Sequence, residues 1–348
     1  MPACYSGLFT SGVLMRPAKS EAGVSRGERA TATITERGVA GFDPRIWLLA
    51  LGTFAIGTDA FVVAGILPRI AADLGIRIEV AGQVVSAYAL TYAIGSPLLA
   101  GLVGRWPRER IVPPALIAFT VANALCAVAP SYAALIAARI MAGVCAALYT
   151  PTAYALAAGL ARAERRGSAL AAVALGLTAS TVLGVPLGAW LGYHLGWHAT
   201  FWLVAGLSIV AATTLVTLGL PATAPNEQSP GSSLAARLAP LARPRVLLVL
   251  LPTLLWSTGN YTLYTYIALF LGRHYNVETI TLLLLVFGLG GLAGSQLGGR
   301  LADRFGPFRP IAVCNVISVA NYALLGASTA MLPGAALALF LWSLTGWA

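Results

Sequence analysis

The chain has 348 residues, 58% of them hydrophobic and 10% charged, with a mean hydropathy of +0.80. A soluble domain carries about 25% charged residues, so this composition excludes a soluble enzyme, a disulfide scaffold and a disordered chain. At roughly 20 residues per membrane span the length allows about ten to fourteen spans, and the net charge of +10 is read as basic loops on a cytoplasmic face rather than as a nucleic-acid surface.

Residues 1–44 are polar, mixed in charge and aperiodic, and lack the basic region and apolar run of a signal peptide. They are predicted to be a disordered cytoplasmic tail. From Ile46 onward apolar runs of spanning length alternate with short breaks marked by Pro, Gly or charge. The predicted spans are 46–67, 80–103, 111–129, 132–158, 167–191, 199–220, 246–271, 279–301, 309–329 and 333–348. The one long interruption, 221–245, carries Pro221, Pro225, Pro230, Gly231 and two serines, and reads as a flexible linker. The expected organisation is a six-helix N-terminal bundle over 45–220, a cytoplasmic linker over 221–245 and a partial C-terminal bundle of four helices over 246–348.

Basic residues set the orientation. The tail and alternate loops, with clusters at Arg105/Arg108/Arg110, Arg162/Arg165/Arg166, Arg237/Arg243/Arg245 and Arg300/Arg304/Arg309, hold 18 basic residues. The opposite loops hold three, Arg69, Arg77 and Arg273, which predicts a cytoplasmic N-terminus. Cys126, Cys145 and Cys314 lie in apolar stretches and Cys4 in the tail, with no spacing that suggests a metal or redox centre. Without a phosphate loop or a nucleophile–base set, no enzymatic activity, cofactor or metal is expected.

Two residues stand out within the spans. Arg139 lies about eight positions inside the fourth, a costly placement that is a functional hypothesis by default. Asp59 is the acidic residue deep in the first span, and at ~1.5 Å per residue both lie ~10–12 Å from the same membrane side. They are expected to pair. Asp59 is then a candidate proton acceptor, with a permanent structural counter-ion as the alternative, and Arg139 either its coupling partner or a tie between helices through backbone carbonyls.

The fifth span carries Gly176, Ser180, Gly184, Gly188 and Gly192 at i+4 spacing, with Pro186 among them. Small residues at this spacing allow close helix packing, and Pro permits a bend. A similar stripe in the eighth span, Gly290, Gly294 and Gly298, is read as packing alone. Polar and aromatic side chains within spans, Tyr88 and Tyr92, Tyr149 and Tyr154, and Asn260, Tyr261, Tyr264 and Tyr266, are candidates to line a site for a planar, mostly apolar ligand, some of them being packing or interface residues instead. His194 and His198 fall in an external turn.

The chain also repeats: Gly101–Arg108 aligns with Arg300–Pro307 at an offset of 199 residues, as expected of tandem transporter halves. The loop Gly299-Arg-Leu-Ala-Asp303-Arg304-Phe-Gly306 resembles the signature loop of the major facilitator superfamily. Arg139 followed by Gly143 resembles its fourth-helix pattern, and Gly184-Val-Pro186-Leu-Gly188 with Gly176 resembles its antiporter motif. The run from Gly57 through Asp59 and Pro68 to Gly75, with Ala147-Leu-Tyr149-Thr-Pro151, resembles the drug:proton antiporters, most nearly the chloramphenicol-efflux proteins. An arabinose-efflux-like branch shares much of the pattern.

The resemblance implies a multi-pass transporter of the inner (plasma) membrane that exchanges protons for a small apolar drug, with a sugar as the alternative substrate. Asp59 and Arg139 would couple protons. Arg105, Gly184, Pro186, Gly188, Asp303 and Arg304 would gate, and Tyr88, Tyr92, Tyr149, Asn260, Tyr261 and Tyr264 would line the substrate path. A monomer working with the drug, protons and the bilayer, without nucleic acid, is expected. In the first copy of the loop the Asp position is Gly104 and the turn glycine is Pro107, which shifts weight to Asp303. A second full copy of the repeat would end near residue ~440, which predicts two further helices past Ala348 and leaves an inactive, truncated membrane protein as a further alternative.

Overall fold

The computed structural model describes residues 43–103, 106–221, 239, 243–306 and 308–347. The predicted tail and nearly all of the predicted linker lie outside the described residues. The described residues from Asp43 onward belong to one compact unit. Among the described residues every regular element is helical, and nine stretches are long and apolar enough to cross a membrane.

The first, α1 (Pro44–Asp73), begins where the Asp43 carboxylate accepts from the Arg45 amide at 2.9 Å, a side-chain cap on an otherwise orphaned N–H. The second predicted span is two helices, α2 (Ile78–Ala81) and α3 (Gln83–Leu102), divided at Gly82, where a Cβ would overlap the Tyr266 hydroxyl. Then follow α4 (Val112–Ala127) and α5 (Tyr132–Leu160), the latter capped by Ser131 accepting from the Ala134 amide.

The fifth span is α6 (Arg166–Ala179), a π-helical turn at Ser180–Gly184, and α7 (Val185–His194), with Pro186 in the first turn of α7. After it comes α8 (Trp197–Leu218). The seventh is likewise divided, at Tyr266, into α9 (Pro244–Thr265) and α10 (Ile267–Leu271). Next is α11 (Val277–Phe305), capped at its start by Asn276 and ended by Gly306, whose φ of 75° favours glycine. Then come α12 (Phe308–Ser328) and α13 (Leu332–Trp347). The tenth predicted span, 333–348, is described as a helix over Leu332–Trp347.

Helix α1 is the hub of the first six spans, packing on α6, α7 and α8, while α3 lies on α5 and α4 lies between α5 and α8. The small-residue stripe of the fifth span makes this approach possible. A Cβ on Gly176 would enter the Ala50 carbonyl and Thr53, one on Gly184 would enter Thr58, and those on Gly188 and Gly192 would enter Val62 and Ile66. Thr53 closes the same seam by donating to the Val173 carbonyl at 2.8 Å. In the later helices α11 lies on α13, and the backbones of Gly290 and Gly294 meet those of Phe340 and Leu344, the packing role expected of that stripe. A polar seam joins α12 to α13 through Ser318–Thr345 (2.8 Å) and Asn321 to the Ala338 carbonyl (3.0 Å).

The helices before residue 221 meet those after residue 243 through α1, α6, the π turn and α7 on one side and α9, α10 and α11 on the other, with Tyr266 also lying against Gly82. The residues in contact run from mid-depth to the end at which α1 finishes. Ala64, Val185 and Ala189 share one apolar cluster with Tyr264, Ile267, Leu271, Leu284 and Phe287. Gly288 lies against the Thr181 carbonyl and Val182 backbone, too close for a side chain between them. Toward the opposite end α11 exposes Gln296, Leu297, Arg300 and Leu301.

Candidate functional site

Two constellations occupy the middle of the bundle. In the first, Arg139 Nη1 on α5 donates to Asp59 Oδ1 on α1 at 2.6 Å, and both side chains have no exposed surface. The pairing expected from matched depth is therefore present. The Tyr88 ring lies 4.3 Å from the guanidinium carbon, within cation–π range, and the Phe201 ring 5.8 Å from it.

Local sequence explains the convergence. At Gly143, one turn past Arg139, a Cβ would come 2.8 Å from the Tyr88 carbonyl, so the glycine lets α3 close on α5. Gly57, two residues before Asp59, lets Ser180 at the start of the π turn approach α1. A short charge-assisted bond joins the pair, yet Asp59 Oδ2, Arg139 Nε and Nη2 and the Tyr88 hydroxyl are buried without a hydrogen-bond partner among the described residues. A buried ion pair is secure only when its remaining donors and acceptors are also satisfied. This one keeps spare capacity on both members.

The second constellation is aromatic. Phe61, half-buried two residues beyond Asp59, is stacked with Tyr261 of α9 (centroids 6.3 Å, planes 13° apart). It meets Tyr264 edge-on at 5.8 Å and Trp347 of α13 at 6.2 Å. The Tyr264 hydroxyl donates to the Phe61 carbonyl at 3.2 Å, joining the two groups of helices through a hydrogen bond. Asn260 accepts from the Tyr322 hydroxyl at 3.0 Å and from the Trp342 indole, and Trp342 is edge-on to both Phe287 and Tyr322. Asn260, Tyr261 and Tyr264 are thus brought together with Phe61.

The other predicted site residues are dispersed. Tyr88 belongs to the ion-pair constellation and Tyr92 stacks on it at 6.4 Å. Tyr149 is fully buried on the opposite side of Asp59, donates to the Leu49 carbonyl at 3.0 Å and fills the space over Gly52, which is a packing position. Gly184, Pro186 and Gly188 are buried along α1. Asp303 and Arg304 are exposed at the end of α11 with no ion pair among the described residues, Arg304 lying 5.3 Å from the Phe305 ring. Arg105 lies outside the described residues. His198 stacks on Trp197 and His194 contacts Trp190, both beside the turn at Gly196. Among the described residues no cluster of His, Cys, Asp and Glu is placed to hold a metal.

Sequence reasoning missed Phe61, Phe287, Tyr322, Trp342 and Trp347. Phe61 carried a signal, its position two residues from Asp59. In the other four nothing separates an inward aromatic from one facing lipid.

Comparison with known proteins agrees with this architecture. The model of the Major Facilitator Superfamily matches residues 49–348. An MFS-type transporter of Bacillus subtilis, YbcL, is 34% identical over 306 residues, covering 87% of this chain and 77% of that one. A chloramphenicol resistance protein of Streptomyces lividans is 36% identical over 261 residues, covering 74% of this chain and 67% of that one. Among solved structures, the inward open conformation of the xylose transporter XylE from E. coli superposes with a TM-score of 0.65 at 15% identity, over 87% of this chain and 80% of that one, a likeness of fold alone.

Proposed function

The chain belongs to the Major Facilitator Superfamily, and from that premise we propose that it is an efflux transporter of the inner membrane that exchanges protons for a small, mostly apolar drug of the chloramphenicol type. The observation that carries the proton half of this reading is the half-satisfied Asp59–Arg139 pair at the centre of the bundle. A proton delivered to Asp59 removes one charge from the pair and frees Arg139 to turn toward its other neighbours. The same event loosens α1 from α5. The drug half draws on the aromatic group around Phe61, which begins two residues from Asp59, and on the similarity to a protein named for chloramphenicol resistance.

With 18 basic residues against three, the Pro44 end of α1 is assigned to the cytoplasm. The helices before 221 and after 243 then meet on the outer side, as in an inward-facing carrier, and the contact of Gly288 with the π turn is the seam that must part for release outward. Gly184, Pro186 and Gly188 are assigned to that moving seam, and Asp303, Arg304 and Arg105 to the cytoplasmic gate.

The test is chloramphenicol accumulation in cells producing the protein. Lower accumulation than in empty-vector cells is expected, abolished by a protonophore and by Asp59→Asn. Equal accumulation with and without the protein refutes drug export, and a matching experiment with labelled arabinose decides the sugar alternative.

A further inference from the structure

We infer that Asn260 is a fixed hydrogen-bond donor to the transported molecule and selects planar aromatic compounds that carry an exposed acceptor such as a nitro or carbonyl oxygen. The inference rests on the efflux reading above and names the chemistry of its substrate site.

An indole N–H can only donate, so the group of Asn260 that faces Trp342 Nε1 is its oxygen. The Tyr322 hydroxyl donates to the same oxygen at 3.0 Å. Both lone pairs of Oδ1 are therefore engaged, and the amide has no acceptor left to offer. Its Nδ2 carries two N–H groups with no hydrogen-bond partner among the described residues, and Asn260 is partly exposed rather than sealed in the core. The side chain is turned so that it can only give.

The frame holding it is rigid. Tyr322 stands edge-on to Trp342 at 5.8 Å, so the two residues that orient the amide also brace each other. Trp342 has about 1% of its surface exposed. A donor fixed this way does not lose rotamer freedom when a ligand arrives.

The surroundings define the rest of the ligand. Trp256 lies one turn earlier on α9, and Gly346 brings the backbone of α13 beside both Trp256 and Asn260 without a side chain between them. On the other flank, Tyr261 and Trp347 converge on Phe61. An aromatic wall with one oriented donor accepts a flat apolar body bearing an acceptor. A site built around such a hydrogen bond discriminates strongly against analogues that lack the acceptor. Chloramphenicol, with a nitroaryl ring and an amide carbonyl, has this chemistry.

The test uses inverted membrane vesicles holding the full chain, an imposed proton gradient and chloramphenicol as the probe. Asn260→Asp keeps an oxygen for Trp342 and Tyr322 but removes the N–H donors. Asn260→Ala, a second variant, removes the group without adding charge. Both are expected to raise the half-saturating concentration about tenfold, the scale of one lost polar contact opposed by desolvation, while the maximal rate per copy of protein changes by less than twofold. An unchanged half-saturating concentration, or a loss confined to the maximal rate, overturns the donor role and leaves efflux standing. No chloramphenicol transport by the unmodified chain overturns the efflux reading, and this inference with it.

Discussion

Replacing Asp59 with Asn tests the energetics of the central pair apart from any transport cycle. The two side chains are wholly buried and joined at 2.6 Å, and the substitution preserves shape while removing the negative charge. Arg139 then stays buried as an uncompensated cation. Its Nε and Nη2 already lack hydrogen-bond partners, and among the described residues no second carboxylate pairs with it to share the charge. The Tyr88 face at 4.3 Å is there before and after the substitution, so it leaves the difference unchanged. Removing one member of a buried ion pair costs about 3–5 kcal/mol. At roughly 2 °C per kcal/mol, the midpoint of thermal unfolding in detergent falls by about 6–10 °C. The double variant Asp59→Asn with Arg139→Met removes both charges and is expected to recover at least half of that loss, because the penalty is the unpaired charge rather than the missing bond. An Asp59→Asn midpoint within about a degree of the unmodified protein, or a double variant whose loss is the sum of the two single losses, refutes the reasoning.

Two further outcomes follow from packing. Gly288→Ala places a methyl into the backbone of Thr181 and Val182, where no flexible side chain can yield; overpacking of about 1–3 kcal/mol is expected to lower the unfolding midpoint by several degrees and to slow the proposed chloramphenicol export, and a variant with unaltered export shows that this seam does not need to be so close. Trp197→Phe removes the 2.8 Å bond from the indole to the Asp73 carboxylate that ties the end of α1 to the start of α8; a loss of about 1.5–3 kcal/mol is expected for a bond to a charged group, read as a lower unfolding midpoint.

What the sequence carried depended on how a residue type announces itself. Asp59 and Arg139 were legible because charge inside an apolar run has few explanations, and equal depth left one partner for each. The spans were legible from length and composition, and the glycine stripes from their spacing. The breaks at Gly82 and Tyr266 were not, because α2 and α10 continue the apolar pattern on either side of them. Trp342 and Trp347 went unread for a related reason: in a membrane helix an aromatic ring is equally at home against lipid or against another ring. Tyr149 stands out in the sequence beside Pro151, yet its hydroxyl is spent on the Leu49 carbonyl.

The π turn at Ser180–Gly184 has a consequence for angle. A four-residue step in an α-helix overshoots a full turn by ~40°, so the four steps from Gly176 to Gly192 would wind the small residues ~160° around the axis and carry the last of them off α1. A π turn holds one residue more than an α turn and takes back on the order of one residue's rotation, ~100°. The correction falls in the middle of the stripe, at the depth of Asp59. Two short runs of small residues that would be out of phase are thereby set on one meridian, and Ala50, Thr58, Val62 and Ile66 of a single helix meet them in succession.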